Sequence, residues 1–523
     1  MNRISQIIGT TWTGAGPVRS LVVGVSGDRI AHVSERGSVS VQTEALILPD
    51  DALLIPGFHD AHAHLLFGGL KLGWCNFTGV TSIDQFCEIL KQSQSHRDDE
   101  SNTWIQGTGL DESVLPITRN EIDRVCRDVP VFIWFRDLHS AVVNTVGLQC
   151  AGVDRNIKNP EGGRYERDQS GELTGVLRED VARIVERKIP EINEDQARKA
   201  LLRAQDHALS LGITAVSSSS RADRLPHYLA FANSDSCRLR INAWQVTEKF
   251  HFEEDRFKRQ SSGRFRLATF KGFADGALSS YTAALNEPYE NIQSTGIALV
   301  DKKTLARFAS DAHREGYQVT IHAIGDRAIG ICLDAFATSG GKAGISPFRP
   351  RIEHVQHIRP QDIPRFAELG IIASMQPIHC PADMEHVTSR IGAERARYSY
   401  AWRSLLDSGA RLCFGSDWPV EDMDPLKGIH AAVTRQNPNG NPPGGWQAQE
   451  RISVDDALKA YTSGAAYAAF WEKDLGTIEA GKFADFAVLS KNILNCPSAD
   501  ILKAKVLMTV TGGEIVYRNT SSF

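Results

Sequence analysis

Apolar positions along the middle of the chain switch between two periods. In DQARKALLRAQDHALSLG, Ala197, Ala200, Leu201, Ala204, Ala208 and Leu211 repeat at helical spacing and stop at Gly212, a C-cap. ITAVS follows, short and β-branched, and predicts a strand. RLRINAW (238–244) and RLATFKGF (266–273) predict two more. TLARFASDAHREG with YQVTIH, PRFAELG with IIASMQ, and WRSLLDSG with ARLCFGSD each read helix, glycine, strand, and RPRIEHV is a further strand. Such alternation predicts βα units around a parallel sheet. The strand leading to His59 and those near 213–217, 239–244, 266–271, 318–322, 350–354, 371–375 and 411–416 make eight, the number that closes a (β/α)8 barrel. A doubly wound open sheet alternates in the same way but needs no particular strand number. TWIQG (103–107) and VPVFIWF (129–135) exceed the count and are assigned to an insertion of about 70–190 after the first strand.

The ends follow the two-residue period instead. LVVGVSGDRIAHV is a hairpin pattern around Gly27-Asp28, and DFAVLS with KVLMTVTGGEIVYR repeats strand, turn, strand. The expectation is an α/β protein: a TIM barrel over 53–475 and a small β-sandwich domain built from 1–52 and 476–523. DDESNT (98–103) reads as a polar connection and NPNGNPPGGW (437–446) as a turn-rich loop.

Composition removes several function classes. A net charge of −5 without a basic block argues against nucleic acid and against a polybasic membrane anchor. The start, MNRISQIIGTTWTG, lacks a signal-peptide h-region, and no run of about 18 apolar residues exists to span a bilayer. Nine cysteines without a Cys-x-x-Cys fit reduced thiols, hence a cytoplasmic location.

Chemistry concentrates where the strands end, which in a barrel is the catalytic face. The apolar run LLIPGF leads into His62-Ala63-His64, and alternate residues of a strand share one face, so both rings point inward together. His59 is off that face and has no ligand role. Lys271 lies on the fourth strand, His322 ends the fifth, His354 the sixth, and Asp417 the eighth. Singly, each is more often a core histidine, a surface lysine or a turn aspartate. Jointly, five strands ending in metal-binding or metal-bridging residue types point to a metal centre.

Taken with PGFHDAHAHL, GLDE (109–112), PITR (116–119), GGRYERDQSGELTGVLRE (162–179), FKGFADGAL, HAIGDRA, RIEHVQ, GSDWPV, AYTSGAA and GTIEAGKFADFAVLS, the chain resembles the amidohydrolase superfamily, in its amidohydrolase-3 or YtcJ-like branch, nearly end to end. The resemblance implies one metal on His62, His64 and Asp417 and a second on His322 and His354. Two zinc ions per chain are the implied cofactors, with Lys271 carbamylated between them; a mononuclear site without carbamylation is the alternative. It implies hydrolysis of a non-peptide C–N bond, of an N-acyl or N-formyl amide, by metal-activated hydroxide, Asp417 serving as general base and then acid. Asp326 either orients His322 or caps a helix. The implied partners are a small-molecule substrate and, at the level of the superfamily, a second copy in a homodimer.

Some positions depart from the branch pattern. Tyr281 stands where relatives often carry arginine, Leu110 where they carry tryptophan, Leu138 and Val142 fall in a changed DGHxxW-like segment, and strand two ends in serines. All four bear on substrate shape. Trp74, Trp134, His139, Tyr281, His379, Trp402 and Trp418 are candidate pocket residues, with His139 and Tyr281 foremost. A decarboxylase or isomerase on the same site is the alternative enzyme class. A scaffold without catalysis is the third, and it is disfavoured because no ligand residue is missing.

Overall fold

Eight parallel strands stand side by side in one sheet: β1 (Phe58–Ala63), β2 (Ile213–Ser220), β3 (Arg240–Val246), β4 (Phe265–Phe273), β5 (Gln318–Ala323), β6 (Arg351–His354), β7 (Ile372–Met375) and β8 (Arg411–Phe414). They are the eight strands that the periodicity predicts. In this computed structural model, which describes residues 3–42, 44–95, 104–137, 139–252 and 258–519, the chain divides into two units, Met1–Gly68 with Leu201–Phe523, and Gly69–Ala200. The sheet nearly closes on itself. Asp417 N donates to His62 O and His64 N to Trp418 O, both at 2.7 Å, so the segment after β8 is stitched to the end of β1. An open doubly wound sheet would leave those two edges apart.

The connecting helices bury the residues that the pattern selects. Helix α1 (Glu194–Ser210) places Ala197, Ala200, Leu201, Ala204 and Ala208 out of solvent. The chain turns into β2 at Gly212, whose φ of +77° is a left-handed conformation that costs a side chain but not glycine. Helix α2 (Lys302–Arg314) starts on Asp301, whose carboxylate accepts from Lys303 N and Thr304 N, a cap worth about 1 kcal/mol.

Both termini contribute to one eight-stranded sheet, in which Leu53–Pro56 pairs antiparallel with Phe486–Leu489. The apolar run that leads to the histidines therefore divides at Gly57: Leu53–Pro56 belongs to the terminal sheet, and the barrel strand starts at Phe58. The hairpin turns fall at Gly27-Asp28 and Gly512-Gly513, as the pattern predicts. A buried ion pair fastens this sheet to the barrel. Arg240 Nε and Nη2 reach Asp485 at 2.6 and 2.9 Å, and the guanidinium lies 3.6 Å from the centre of the Phe483 ring.

The second unit is built on its own six-stranded sheet, which includes the neighbouring strands Ile105–Leu110 and Val131–Phe135. These are the two strands that the eightfold count rejects. Alternate residues of Val131–Phe135 face opposite cores. Val131, Ile133 and Phe135 join Phe77, Phe86 and Leu90, while Phe132 and Trp134 join Leu148 and Leu177. Leu110 and Val142 are fully buried in the first of these cores, so their departures from the branch pattern serve packing, not substrate shape. Leu138, Thr103 and the polar connection 98–103 lie outside the described residues. Among the described residues there is no disulfide, and no helix is long and apolar enough to cross a membrane.

Candidate metal centre

His62 and His64 leave β1 on one face, as strand parity requires, and meet Asp417 from the loop after β8. His64 Nε2 lies 3.0 Å and His62 Nε2 3.4 Å from the same oxygen, Asp417 Oδ1. The donor atoms of the three residues fall within 4.8 Å of one another. Each imidazole is turned by a bond at its other nitrogen. Ser219 Oγ is 3.0 Å from His64 Nδ1, and Glu353 Oε2 is 2.7 Å from His62 Nδ1. Two histidines whose outer nitrogens are tied down and whose inner nitrogens converge on a carboxylate have the chemistry of a metal-ligand set. A divalent ion fits these residues.

Asp60 holds the two halves of this set together. Its carboxylate accepts from His62 N at 3.0 Å, Ser416 N at 3.1 Å and Ser416 Oγ, joining β1 to the loop that carries Asp417. Gly415 allows the approach, because a Cβ there would come within 2.4 Å of His62 N.

The remaining residues gather beside the set. The His354 ring lies 4.4 Å from His322 and 5.1 Å from His62, centre to centre. His322 Nε2 is 3.0 Å from Gly276 O and 3.5 Å from Asp275 Oδ1. Lys271 Nζ and His354 Nδ1 are buried and have no hydrogen-bond partner among the described residues. Burial pulls His322 down to about 3, and burial with the neighbouring His322 holds His354 well below the ordinary histidine range, so both are neutral at pH 7. Neutral imidazole is the form that binds a metal. Burial lowers Lys271 to about 8. Burial pushes the Asp417 carboxyl up, but the His64 hydrogen bond and the fields of His62 and His354 outweigh it and hold Asp417 well below the carboxylate range.

Two of these residues enter the mouth by a backbone device. His354 has φ +75° and Asp417 φ +61°, left-handed values that are rare for residues with a side chain. Glu353 already points into the barrel, where it meets His62, Thr320 and Arg351. By strand parity the next residue would point out, and the left-handed turn at His354 breaks the strand there.

The amidohydrolase-3 family model, described as the amidohydrolase family, matches residues 50–517. This chain belongs to the amidohydrolase family. Arabidopsis thaliana protein LONG AFTER FAR-RED 3 is 36% identical over 485 residues, 89% of this chain and 82% of that protein. The putative amidohydrolase YtcJ of Bacillus subtilis is 31% identical over 92% of each chain. The N-substituted formamide deformylase of Arthrobacter pascens is 26% identical over 95% of each. Among solved structures, an uncharacterized metal-dependent hydrolase from Pyrococcus furiosus superposes with a TM-score of 0.78 at 29% identity, over 94% of this chain and 99% of that one. The YtcJ-like family resemblance and the barrel expected from the strand count are borne out.

Other expected site residues take different places. Asp326 does not orient His322. Its Oδ1 accepts from Asn286 N at the start of helix α3 (Asp326–Thr338), and the groups beside His322 are Gly276 O and Asp275. Asp275 escapes the sequence reading although it lies in FKGFADGAL. It accepts from Ala284 N, Ile324 N and Gly325 N, which fixes the loop after β5. Tyr281 packs against Tyr289 and under Arg390, and its hydroxyl accepts from Asn291 Nδ2. His139 is exposed in the second unit, 3.2 Å from Glu179. Trp402 is core, between Tyr400 and Phe414. His379 is the pocket candidate that the structure brings to Asp417, at 3.6 Å from Oδ2. The family's serine departure also finds a use here, since Ser219 is the partner of His64. Ser219→Ala is expected to weaken binding of a divalent ion about tenfold, read with zinc as the probe against a chromophoric chelator, with folding unchanged.

Proposed function

We propose that this chain is a metal-dependent hydrolase that cleaves the C–N bond of a small N-acyl or N-formyl amide. The convergence of His62, His64 and Asp417 within 4.8 Å at the barrel mouth carries the reading. The printed name of the Arthrobacter pascens relative, an N-substituted formamide deformylase, supports the bond type. His62, His64 and Asp417 would hold one zinc ion and His322 and His354 a second, with Lys271 carbamylated between them. A buried lysine lowered to about 8 has a useful fraction of neutral amine, the form that adds to carbon dioxide. A divalent ion here supplies Lewis acidity toward an acyl oxygen and lowers the pKa of water to about 7.

The chain's own residues do the rest. Glu353 accepts from His62 Nδ1 and so holds the hydrogen there, and Ser219 orients His64 through its Nδ1, which aims both Nε2 atoms at the centre. Asp417 Oδ1 faces both histidine Nε2 atoms, where the ion would sit, so Oδ2 is the oxygen left to accept a proton from water and return it to the leaving nitrogen. That return matters because an amide anion is a poor leaving group.

Elemental analysis of protein purified without chelators, beside release of formate and amine from N-butylformamide, tests the reading. About two metals per chain, falling in Lys271→Ala, is the expected result. One metal, unchanged by Lys271→Ala, would give Lys271 another role. Release of carbon dioxide without amine from a carboxylated amide would favour the decarboxylase alternative.

A further inference from the structure

Two buried polar groups of this site face each other without a bond. His379 opens helix α4 (His379–Ala396), directly after β7, and its ring stands edge-on to His354 at 6.2 Å and 87°. Its Nε2 is buried, has no hydrogen-bond partner among the described residues, and lies 3.6 Å from Asp417 Oδ2. The two oxygens of Asp417 are thus divided. Oδ1 faces His62 and His64, and Oδ2 faces His379. At 3.6 Å the pair is just beyond hydrogen-bond reach, and a third polar atom beside the gap bonds both. A bound group that donates to this nitrogen would supply the partner.

We propose that His379 is a catalytic residue that selects amides bearing an N–H: its Nε2 accepts that N–H while Asp417 Oδ2 delivers its proton to the same nitrogen. The inference rests on the amide-hydrolase reading. As the tetrahedral adduct collapses, the C–N bond breaks and its electron pair goes to nitrogen. The Oδ2 proton passes to that nitrogen, and the acyl carbon keeps two oxygens as the acid. His379 neither gains nor loses a proton. A neutral imidazole with hydrogen on Nδ1 offers Nε2 as the acceptor. By pinning the N–H, it turns the nitrogen lone pair toward Oδ2. An N,N-disubstituted amide has no such hydrogen and would leave Nε2 without a partner.

The test compares N-butylformamide with N-butyl-N-methylformamide in wild type, His379→Ala and His379→Gln, with metal content measured on each. Wild type is expected to prefer the secondary amide by about 100-fold in kcat/KM, because a site built for a hydrogen bond rejects the analogue lacking it. In His379→Ala that preference should fall below about tenfold at unchanged metal content. His379→Gln, whose side-chain oxygen also accepts an N–H, should restore part of it. Equal losses on both substrates would mean a structural role and overturn the inference. So would loss of metal in His379→Ala, which would make the residue a ligand. A wild type that cleaves neither formamide nor any other amide would instead remove the amide reading on which this rests.

Discussion

Asp417→Asn is expected to lower kcat by about 1,000-fold or more while leaving the protein folded. Asparagine keeps the volume and one carbonyl oxygen, so the loop between Gly415 and Trp418 should hold its bonds to β1. What it loses is a group that can carry a proton. The structure makes the loss specific, because Oδ1 is already opposed to His62 and His64, and Oδ2 is turned toward His379. An asparagine amide there cannot take a proton from water or return one to nitrogen. Turnover of N-butylformamide, circular dichroism and metal content on one preparation check it. Activity within tenfold of wild type would remove Asp417 from proton transfer, even if the metal stayed.

Much of this site is legible in the sequence because it uses the strand period. His62 and His64 are two residues apart on a strand, and that spacing alone puts both rings on one face. The barrel is legible because eight strands can be counted and two others set aside. What escapes is whatever the backbone does outside the period. His354 and Asp417 are identified by standing at strand ends, but their left-handed φ values cannot be read from composition. The first apolar run is a single stretch in the sequence, yet Gly57 divides it between two sheets. Glu353 is the sharpest case. It points into the barrel from the position before His354, and its partner, His62, is 291 residues earlier in the chain. Asp326 runs the opposite way: near His322 in sequence, it neither bonds that ring nor caps helix α3, and accepts from Asn286 N instead.

That long-range pairing leads to the largest expected loss of stability. Glu353→Ala should cost about 3–5 kcal/mol, the usual result of stranding one member of a buried ion pair. Glu353 and Arg351 are both fully buried, 2.9 Å apart on neighbouring positions of one face of β6. Arg351 also donates to Ala61 O and Ser374 Oγ, and its guanidinium lies over Trp244. It therefore cannot leave the barrel when its counter-charge is removed. Burial alone would raise the Glu353 carboxyl, but Arg351 and His62 more than reverse this and keep it ionised. The same carboxylate also receives Thr320 Oγ1 and holds His62 Nδ1. Structure and metal binding should separate in the double variant Arg351→Met with Glu353→Leu. Replacing the pair by apolar side chains should recover most of the stability, since a buried ion pair as a whole is close to neutral against such a replacement. It should not recover zinc affinity, because His62 would still lack the group that sets its tautomer and angle. Urea unfolding and chelator competition on the single and double variants provide both readouts. A Glu353→Ala protein within about 1 kcal/mol of wild type would show that Arg351 finds another counter-charge. A double variant that binds zinc as tightly as wild type would show that His62 needs no carboxylate behind it.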